Sequence, residues 1–334
     1  MAKAAVIILN WNGEKLLREF LPSVVEHTDP AWGRVVVVDN GSEDGSVELM
    51  KKEFPAVDLI CFPENLGFAG GYNRVVESVS EEIVVLLNSD VEVTANWLQP
   101  LVGMLEACPE LAAVQPKIKA WRNRDYFEYA GACGGFIDRL GFPFCRGRIL
   151  DVLEEDRGQY DDEVEVFWCS GAALCVRREA YCRAGGLDER FFAHMEEIDL
   201  CWRIRNLGAV LKACPASVVY HLGGGSLPMN HPRKLFLNYR NNLLMLYKNL
   251  SPQQWKKVKW QRRGLDFMAM MVFALQGKWT NAKAVARAYR DFGRMKKNYR
   301  PEETTVRKDC CIYPHSLIFQ YYFKHIRKFS QLER

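Results

Sequence analysis

Three runs of apolar, largely β-branched residues in this chain end in short polar side chains that could bind a ligand. Residues 3–9 (KAAVIIL) run into Asn10, residues 34–38 (RVVVV) into Asp39 and Asn40, and residues 82–87 (EIVVLL) into Asn88-Ser89-Asp90. A carboxylate at a strand end suits Mg²⁺ or Mn²⁺, which takes few protein ligands and completes its shell from phosphate oxygens and water. Asn, Asp, Ser and Gly also favour ordinary turns, so one such end says little, whereas three together describe a site.

A second cluster lies at His194, Glu196, Glu197 and Asp199, between Phe191-Phe192 and Leu200-Cys201-Trp202. Burial and neighbouring carboxylates raise a carboxyl pKa toward the range useful for a general base. Acidic residues opening a helix also complement its dipole, which is the structural alternative. Here Glu197 is expected at a helix start, pointing out of the core, while Leu200, Trp202 and Ile204 pack. His221, ahead of Gly223-Gly224-Gly225-Ser226, could complete a metal or pyrophosphate site. Arg240 could pair with a diphosphate or lie on a helix surface. The glycine cluster of residues 67–73 (GFAGGYN) allows close approach of a ligand or a tight turn. It has neither the dinucleotide fingerprint nor the closing G-K-[ST] of a phosphate loop, which disfavours NAD and ATP readings.

These residues need a scaffold of alternating strands and helices. Runs apolar at successive positions fit strands buried on both faces of a parallel sheet. Between them, residues 14–27 carry Leu16, Leu17, Phe20, Leu21 and Val24 on one side, with Pro22 predicting a break or kink. Residues 46–54 follow with Ser46 as the expected N-cap, and residues 70–79 follow the glycines. This order argues an open α/β sheet, whose ligands bind at the carboxyl ends of strands. Residues 115–170 read as an irregular or antiparallel lobe, with residues 164–168 a candidate strand. Helices are expected over 177–184, 198–206 (stopped by Gly208) and 235–249, a strand over 210–219, and a basic amphipathic region over 255–292.

The chain has 334 residues and a net charge of +4, unevenly distributed. Residues 251–334 hold 19 Lys and Arg against 6 Asp and Glu, a net of +13, on a body of net −9. That asymmetry suggests an anionic surface or partner. No run reaches the length of a membrane span, and the N-terminus is too soon polar for a signal peptide, so a cytoplasmic location is expected. Eleven cysteines without paired C-x-x-C spacing read as mostly buried thiols rather than a zinc site or disulfide framework.

As a set, the motifs resemble the family 2 glycosyltransferases. Val36-Val37-Val38-Asp39-Asn40 with Ser42, Asp44 and Ser46 is similar to their nucleotide-binding start, and the first strand with Asn10 to their opening element. Glu64-Asn65 with Gly67, Phe68, Ala69, Gly70, Gly71 and Asn73 resembles their rhamnosyltransferase-like branch. Leu86-Leu87-Asn88-Ser89-Asp90 stands where the family has its metal motif, Asn88 replacing the first Asp. Phe191-Phe192, Glu196-Glu197, Asp199-Leu200-Cys201 and Arg203 resemble the acceptor-side motif. Tyr220-His221, Gly224, Ser226, Tyr239 and Asn241 fit the end of the catalytic part.

The resemblance implies a GT-A fold: an α/β, nucleotide-diphospho-sugar transferase fold around one mixed sheet. It implies a catalytic domain over 1–250, with a nucleotide-sugar half (1–115) and an acceptor half (116–250), and a basic helical region over 251–334. Asp39 would read the base or ribose, with Asn10, Asn40, Asn65, Gly70, Asn73, Asn88 and Arg240 around the donor. Asp90, with His221, would hold Mg²⁺ or Mn²⁺. Glu197 would be the base, with Glu196 its rival, because the family pattern usually has Asp there. The implied reaction is inverting transfer from a nucleoside-diphosphate sugar, dTDP-rhamnose as first guess, to a saccharide or polyprenyl-linked glycan acceptor. Residues 255–292 and 321–327 could lie on a membrane face, pack as ordinary helices or join a homo-oligomer. A nucleotidyltransferase or a non-catalytic carbohydrate-binding protein are the rival classes; no nucleic acid is expected, since no base-reading motif accompanies the basic tail.

Overall fold

Apolar residues at every position of a strand demand cover on both faces, and the chain supplies it from alternating helices. The computed structural model describes residues 2–223, 231–299 and 311–332. Strands β1 (Ala4–Asn10), β2 (Gly33–Asn40), β3 (Asp58–Phe62) and β4 (Ile83–Asn88) alternate with helices α1 (Glu14–His27), α2 (Ser46–Glu53) and α3 (Gly67–Ser78). β5 (Val91–Val93), α4 (Leu98–Ala107) and β6 (Leu111–Ala120) follow. Ala4, Val6 and Ile8 of β1 pack with Leu17 and Leu21 of α1 and Leu101 of α4, while Ala5 and Ile7 pack with Tyr72 and Val75 of α3. The two-residue alternation of a strand thus feeds two separate cores.

A smaller layer comes next: β7 (Gly135–Asp138), β8 (Pro143–Cys145), β9 (Arg148–Ile149) and β10 (Val152–Leu153). The chain returns to the main sheet through β11 (Val164–Glu165) and β12 (Ala173–Arg177), then α5 (Arg178–Arg183), α6 (Glu196–Asn206) and β13 (Val210–His221). Helices α7 (Pro232–Asn249), α8 (Pro252–Leu275) and α9 (Trp279–Met295), strand β14 (Ile312–Tyr313) and α10 (Leu317–Phe323) complete it.

The large sheet has the order β11-β13-β6-β12-β4-β1-β2-β3, with β5 added on β13. β1 is parallel to β2 and β4, whereas β12 is antiparallel to β4 and β6, so the sheet is mixed as expected. The small sheet runs β10-β9-β8-β7-β14, its last strand supplied from beyond α9.

Local expectations differ in three places. Pro22 does not break α1, which is continuous. Pro22 is exposed, so the carbonyl it leaves unbonded faces water, while buried Leu17, Phe20, Leu21 and Val24 hold the helix to the sheet. Ser46 is not the cap of α2 but its buried first residue. Gly45 holds the cap position, and Asp44 before it supplies the side-chain bonds: Oδ1 accepts from the Ser46 amide at 3.0 Å and Oδ2 from the Glu14 amide at 3.0 Å, joining the starts of α1 and α2. Of residues 164–168, only Val164–Glu165 forms a strand, and Trp168 bridges to Gly135.

Candidate functional site

Parallel register brings the three polar strand ends to one edge. Asn10 is opposite Asp39, and Leu9 is opposite Asn88. Chain order runs from β1 toward β3 on one side and resumes with β4 on the other, so this edge is a topological switch point. Asn10 Nδ2 donates to Asp39 Oδ1 at 3.1 Å, and the Ser42 amide donates to Asp39 Oδ2 at 3.0 Å. Asn10 Oδ1 is buried without a protein partner among the described residues.

Asn40 faces the next loop. Its Nδ2 donates to Asn65 Oδ1 (3.0 Å) and the Gly67 carbonyl (3.1 Å), while its Oδ1 accepts from the Leu66 amide (2.9 Å). The glycine cluster is the first part of α3 rather than an open loop. A Cβ on Gly71 would lie 2.7 Å from Leu9 Cδ1, and one on Gly70 would lie 3.6 Å from the Glu189 carboxyl carbon. Gly71 lets the helix approach β1, while the Gly70 position has room for an ordinary contact with the 185–191 loop. Asn73 Oδ1 accepts from Tyr181 Oη (2.6 Å) and the Leu187 amide (2.9 Å), and its Nδ2 donates to the Leu187 carbonyl (2.9 Å). Asn40 and Asn73 are engaged in fixing the loops around the edge.

The turn after β4 carries Asp90. β5 pairs antiparallel with β13, placing His221 opposite Val91, and the Leu222 amide donates to the Asp90 carbonyl at 3.0 Å. His221 Nε2 therefore lies 3.1 Å from Asp90 Oδ1. On the ring's other side, Nδ1 is 3.4 Å from Glu128 Oε2, within ion-pair range but without hydrogen-bond geometry. Burial opposes charge on His221, but the two carboxylates outweigh it and raise its pKa to about 10. Burial likewise works against the Asp90 carboxylate, and His221 overcomes this to hold it below the usual range.

Among the described residues no three His, Cys, Asp or Glu side chains form a self-sufficient metal cage. A carboxylate and an imidazole side by side at a sheet edge instead fit a cation that takes its remaining ligands from a diphosphate and water. Gly224 and Ser226 lie outside the described residues.

The acidic cluster divides by environment. Asp199 is wholly buried and accepts from Arg203 Nε (2.9 Å), Lys248 Nζ (2.8 Å) and Asn249 Nδ2 (2.8 Å), so it anchors α6 to α7. Glu196 is buried and Glu197 is half-buried, and each leaves Oε2 without a partner among the described residues. Burial, then the neighbouring Glu197 charge, pushes Glu196 well above the ordinary range, and burial raises Glu197. Glu197 leans over the turn before β12: a Cβ on Gly171 would be 3.5 Å from Glu197 Cβ. The next residue, Ala172, accepts from the Asn88 amide at 3.0 Å. This places Glu197 beside the strand end that leads to Asp90.

The loop before Glu196 is strained, with Phe192, His194 and Met195 at φ of 68°, 71° and 72°. Such backbone persists only where its surroundings over-determine it. Asn241, buried on α7, does so: its Nδ2 donates to the carbonyls of Phe191 (2.9 Å), Ala193 (2.8 Å) and His194 (2.8 Å). Arg240 Nη2 adds a bond to the Phe191 carbonyl at 2.8 Å, so in this structure it braces the same loop. His194 is held down to about pKa 4 by burial and then by the Lys234 charge. Neither Glu128 nor Lys234 stands out in the sequence. Glu128 stands between Phe127 and Tyr129 in a stretch read as an irregular or antiparallel lobe, and an acid set among aromatics was the one signal available.

The description "Glycosyl transferase family 2" matches residues 5–177, just over half of the chain. An N-acetylglucosaminyl-diphospho-decaprenol L-rhamnosyltransferase of Mycobacterium tuberculosis is 26% identical over 277 residues, covering 78% of this chain and 89% of that protein. Among solved structures, S. aureus TarS 1-349 in complex with UDP-GlcNAc superposes with a TM-score of 0.58 at 16% identity, over 87% of this chain and 80% of that one. GalNAc-T7 with UDP, GalNAc and Mn²⁺ gives 0.56 at 16% identity, over 74% of this chain but only 48% of that one. These likenesses show the α/β GT-A fold with its mixed sheet. With the family matched across β1 to β12 and the strand ends gathered at one edge, the chain belongs to glycosyl transferase family 2 and is a glycosyltransferase.

Proposed function

We propose that this enzyme transfers a sugar, rhamnose as first candidate, from its nucleoside diphosphate to a hydroxyl of a saccharide or polyprenyl-linked glycan, with inversion. The observation that carries this reading is the placement of Glu197 beside the strand end leading to the Asp90–His221 pair. The similarity to a rhamnosyltransferase acting on a decaprenol-linked sugar supports the choice of donor and acceptor class.

In this reading the nucleoside lies along the edge of Asn10 and Asp39, where the open Oδ1 of Asn10 can accept from a base N–H. Asn40, Asn65, Gly70, Asn73 and Arg240 shape that pocket by fixing its loops, and Asn88 sets the turn. Asp90 and His221 would hold Mg²⁺ or Mn²⁺, which when bound offsets charge on the departing diphosphate. The acceptor oxygen attacks the anomeric carbon, the bond from that carbon to the diphosphate oxygen breaks, and the acceptor proton passes to Glu197. Glu196, more deeply buried and pushed further toward its neutral form, holds its proton and limits charge repulsion on Glu197. The nucleoside diphosphate is a good leaving group once its charge is offset, so no enzyme nucleophile is required.

The test is a panel of UDP, dTDP and GDP sugars with Mn²⁺, scored for binding and slow hydrolysis in the wild type and Asp90→Ala. One hit lost in the variant supports the reading. A folded protein that binds none, with or without a lipid-linked acceptor, overturns it.

A further inference from the structure

Helix α8 is built with its polarity reversed. Its two buried residues are Arg262 and Asp266, an ion pair at 3.3 Å. The Arg262 guanidinium sits 3.8 Å from the Phe142 ring centroid and donates to the Leu140 carbonyl at 3.2 Å, while Tyr289 Oη donates to Asp266 Oδ2 at 2.7 Å. The opposite side of the same helix exposes Trp260, Phe267, Met268, Met271, Val272 and Leu275, the last 84% open. Their spacing places them on one face. A soluble helix turns such a stripe inward, and a contiguous exposed apolar face marks an interaction surface.

The face continues onto α10. Trp260 and Met268 share a groove of about 510 Å³ with Phe319 and Lys324. Tyr322 and Phe323, 71% open, follow at helical spacing. The charges that border this surface are of one sign: Lys256, Lys257 and Arg263 on α8, and Lys324 and Lys328 beyond α10, are exposed. Lys259 and Arg263 lie over the Trp260 ring at 5.2 and 5.7 Å. The sole acid of α8 is the buried Asp266.

We propose that the α8–α10 face docks on an anionic lipid bilayer, with its aromatic and aliphatic side chains in the headgroup boundary and its lysines and arginines on acidic headgroups. Apolar depth combined with a cationic rim is the pattern of a helix lying in an interface. No helix among the described residues is long and apolar enough to cross a membrane, so the attachment is lateral. Charge decides against a second copy of the chain as occupant. Two such faces meeting would bring together two surfaces bordered by lysines and arginines, whereas acidic headgroups complement them.

The test uses the full chain and does not depend on the transfer reaction. Cosedimentation is measured with vesicles of phosphatidylcholine alone and of phosphatidylcholine mixed with phosphatidylglycerol. Binding is expected only to the mixed vesicles and should fall as salt rises. Lys257→Gln and Arg263→Gln should each weaken it about fivefold. The double variant Phe267→Asp/Leu275→Asp, at exposed positions that leave the Arg262–Asp266 pair in place, should abolish it with the melting temperature unchanged. Failure to bind the mixed vesicles, or undiminished binding by the double variant, overturns the proposal. So does a wild-type dimer in sedimentation equilibrium that the double variant converts to monomer, which would assign the face to a second copy.

Discussion

Asp90 and His221 are 131 residues apart in sequence and 3.1 Å apart in space, joined because β13 ends alongside the turn that β5 begins. Glu128 lies on the far side of the imidazole, its Oε2 3.4 Å from Nδ1, so with a metal on Nε2 it would be the acceptor nearest the Nδ1 proton. Asp90→Ala is expected to abolish Mn²⁺ binding to the protein without donor, and Glu128→Ala to weaken it about 10- to 100-fold. Electron paramagnetic resonance titration of free Mn²⁺ measures both. Loss in Asp90→Ala with full affinity in Glu128→Ala would remove Glu128 from the site while leaving the metal pair intact.

Glu197→Gln should lower kcat by about 10²- to 10⁴-fold with little change in donor affinity, the range for a lost general base. Because burial raises the Glu197 pKa, the wild-type rate should fall on acidification from a pH above the ordinary carboxylate range, as the base becomes protonated. Glu196→Gln should retain more activity. Steady-state rates against pH for the three proteins decide it, and equal losses in both variants would refute the separate roles.

Asn241→Ala removes one amide that serves three carbonyls of a strained loop. Leaving buried acceptors unsatisfied costs about 1–3 kcal/mol, and the loop loses the contact that fixes its left-handed residues. A lower melting temperature together with a fall in kcat larger than that of a matched core variant is expected. Wild-type turnover in a folded Asn241→Ala protein would show that the loop holds its shape without the tether.

Gly71→Ala tests the helix-packing role of the glycine cluster. The new Cβ would stand 2.7 Å from Leu9 Cδ1 on β1. Overpacking of that kind costs about 1–3 kcal/mol. Chemical denaturation should show the loss, and an unchanged midpoint would mean that Leu9 moves aside freely.

Asp188 and Lys248 tie the 188–191 turn to α7 at 2.7 Å. Burial tends to raise the Asp188 pKa, but Lys248 and then Arg190 outweigh it and bring it to about 2. The folded value lies below the unfolded one, so this contribution is complete above the ordinary Asp range and is lost as pH falls through about 2. Asp188→Asn should destabilise the protein at neutral pH and flatten the acid limb of stability. Denaturation midpoints across that range would expose an identical slope in the variant as the contrary result.

The main sheet was legible because its strands are covered on both faces, so residues 3–9, 34–38 and 82–87 read as unbroken apolar runs. Their polar ends were legible for the same reason, since a parallel sheet gathers strand ends at one edge. Residues 115–170 read as an irregular or antiparallel lobe, and β7 to β10 do pair antiparallel there, but the single strands were not legible: β8, β9 and β10 are two or three residues long, and β14 joins from far along the chain, which leaves no period to detect. The loop bonds of Asn40, Asn73 and Arg240 were hidden because an amide or guanidinium that binds a ligand looks, in sequence, like one that binds a loop. Residues 255–292 read as basic and amphipathic, but only the structure shows that in α8 the ion pair faces inward.

The small sheet also sets an order of events during synthesis. The large sheet has all its strands once His221 has left the ribosome. The small sheet must wait for Ile312–Tyr313 to pair with β7, for the Leu317 amide to reach Asp138 Oδ2 (2.8 Å) and for the Phe329 amide to reach Glu154 Oε1 (2.9 Å). The polar ends of β1, β2 and β4 are therefore all synthesised while the small sheet is still one strand short, so a polypeptide stalled after α9 would hold a large sheet with every strand present beside a small one that lacks its last.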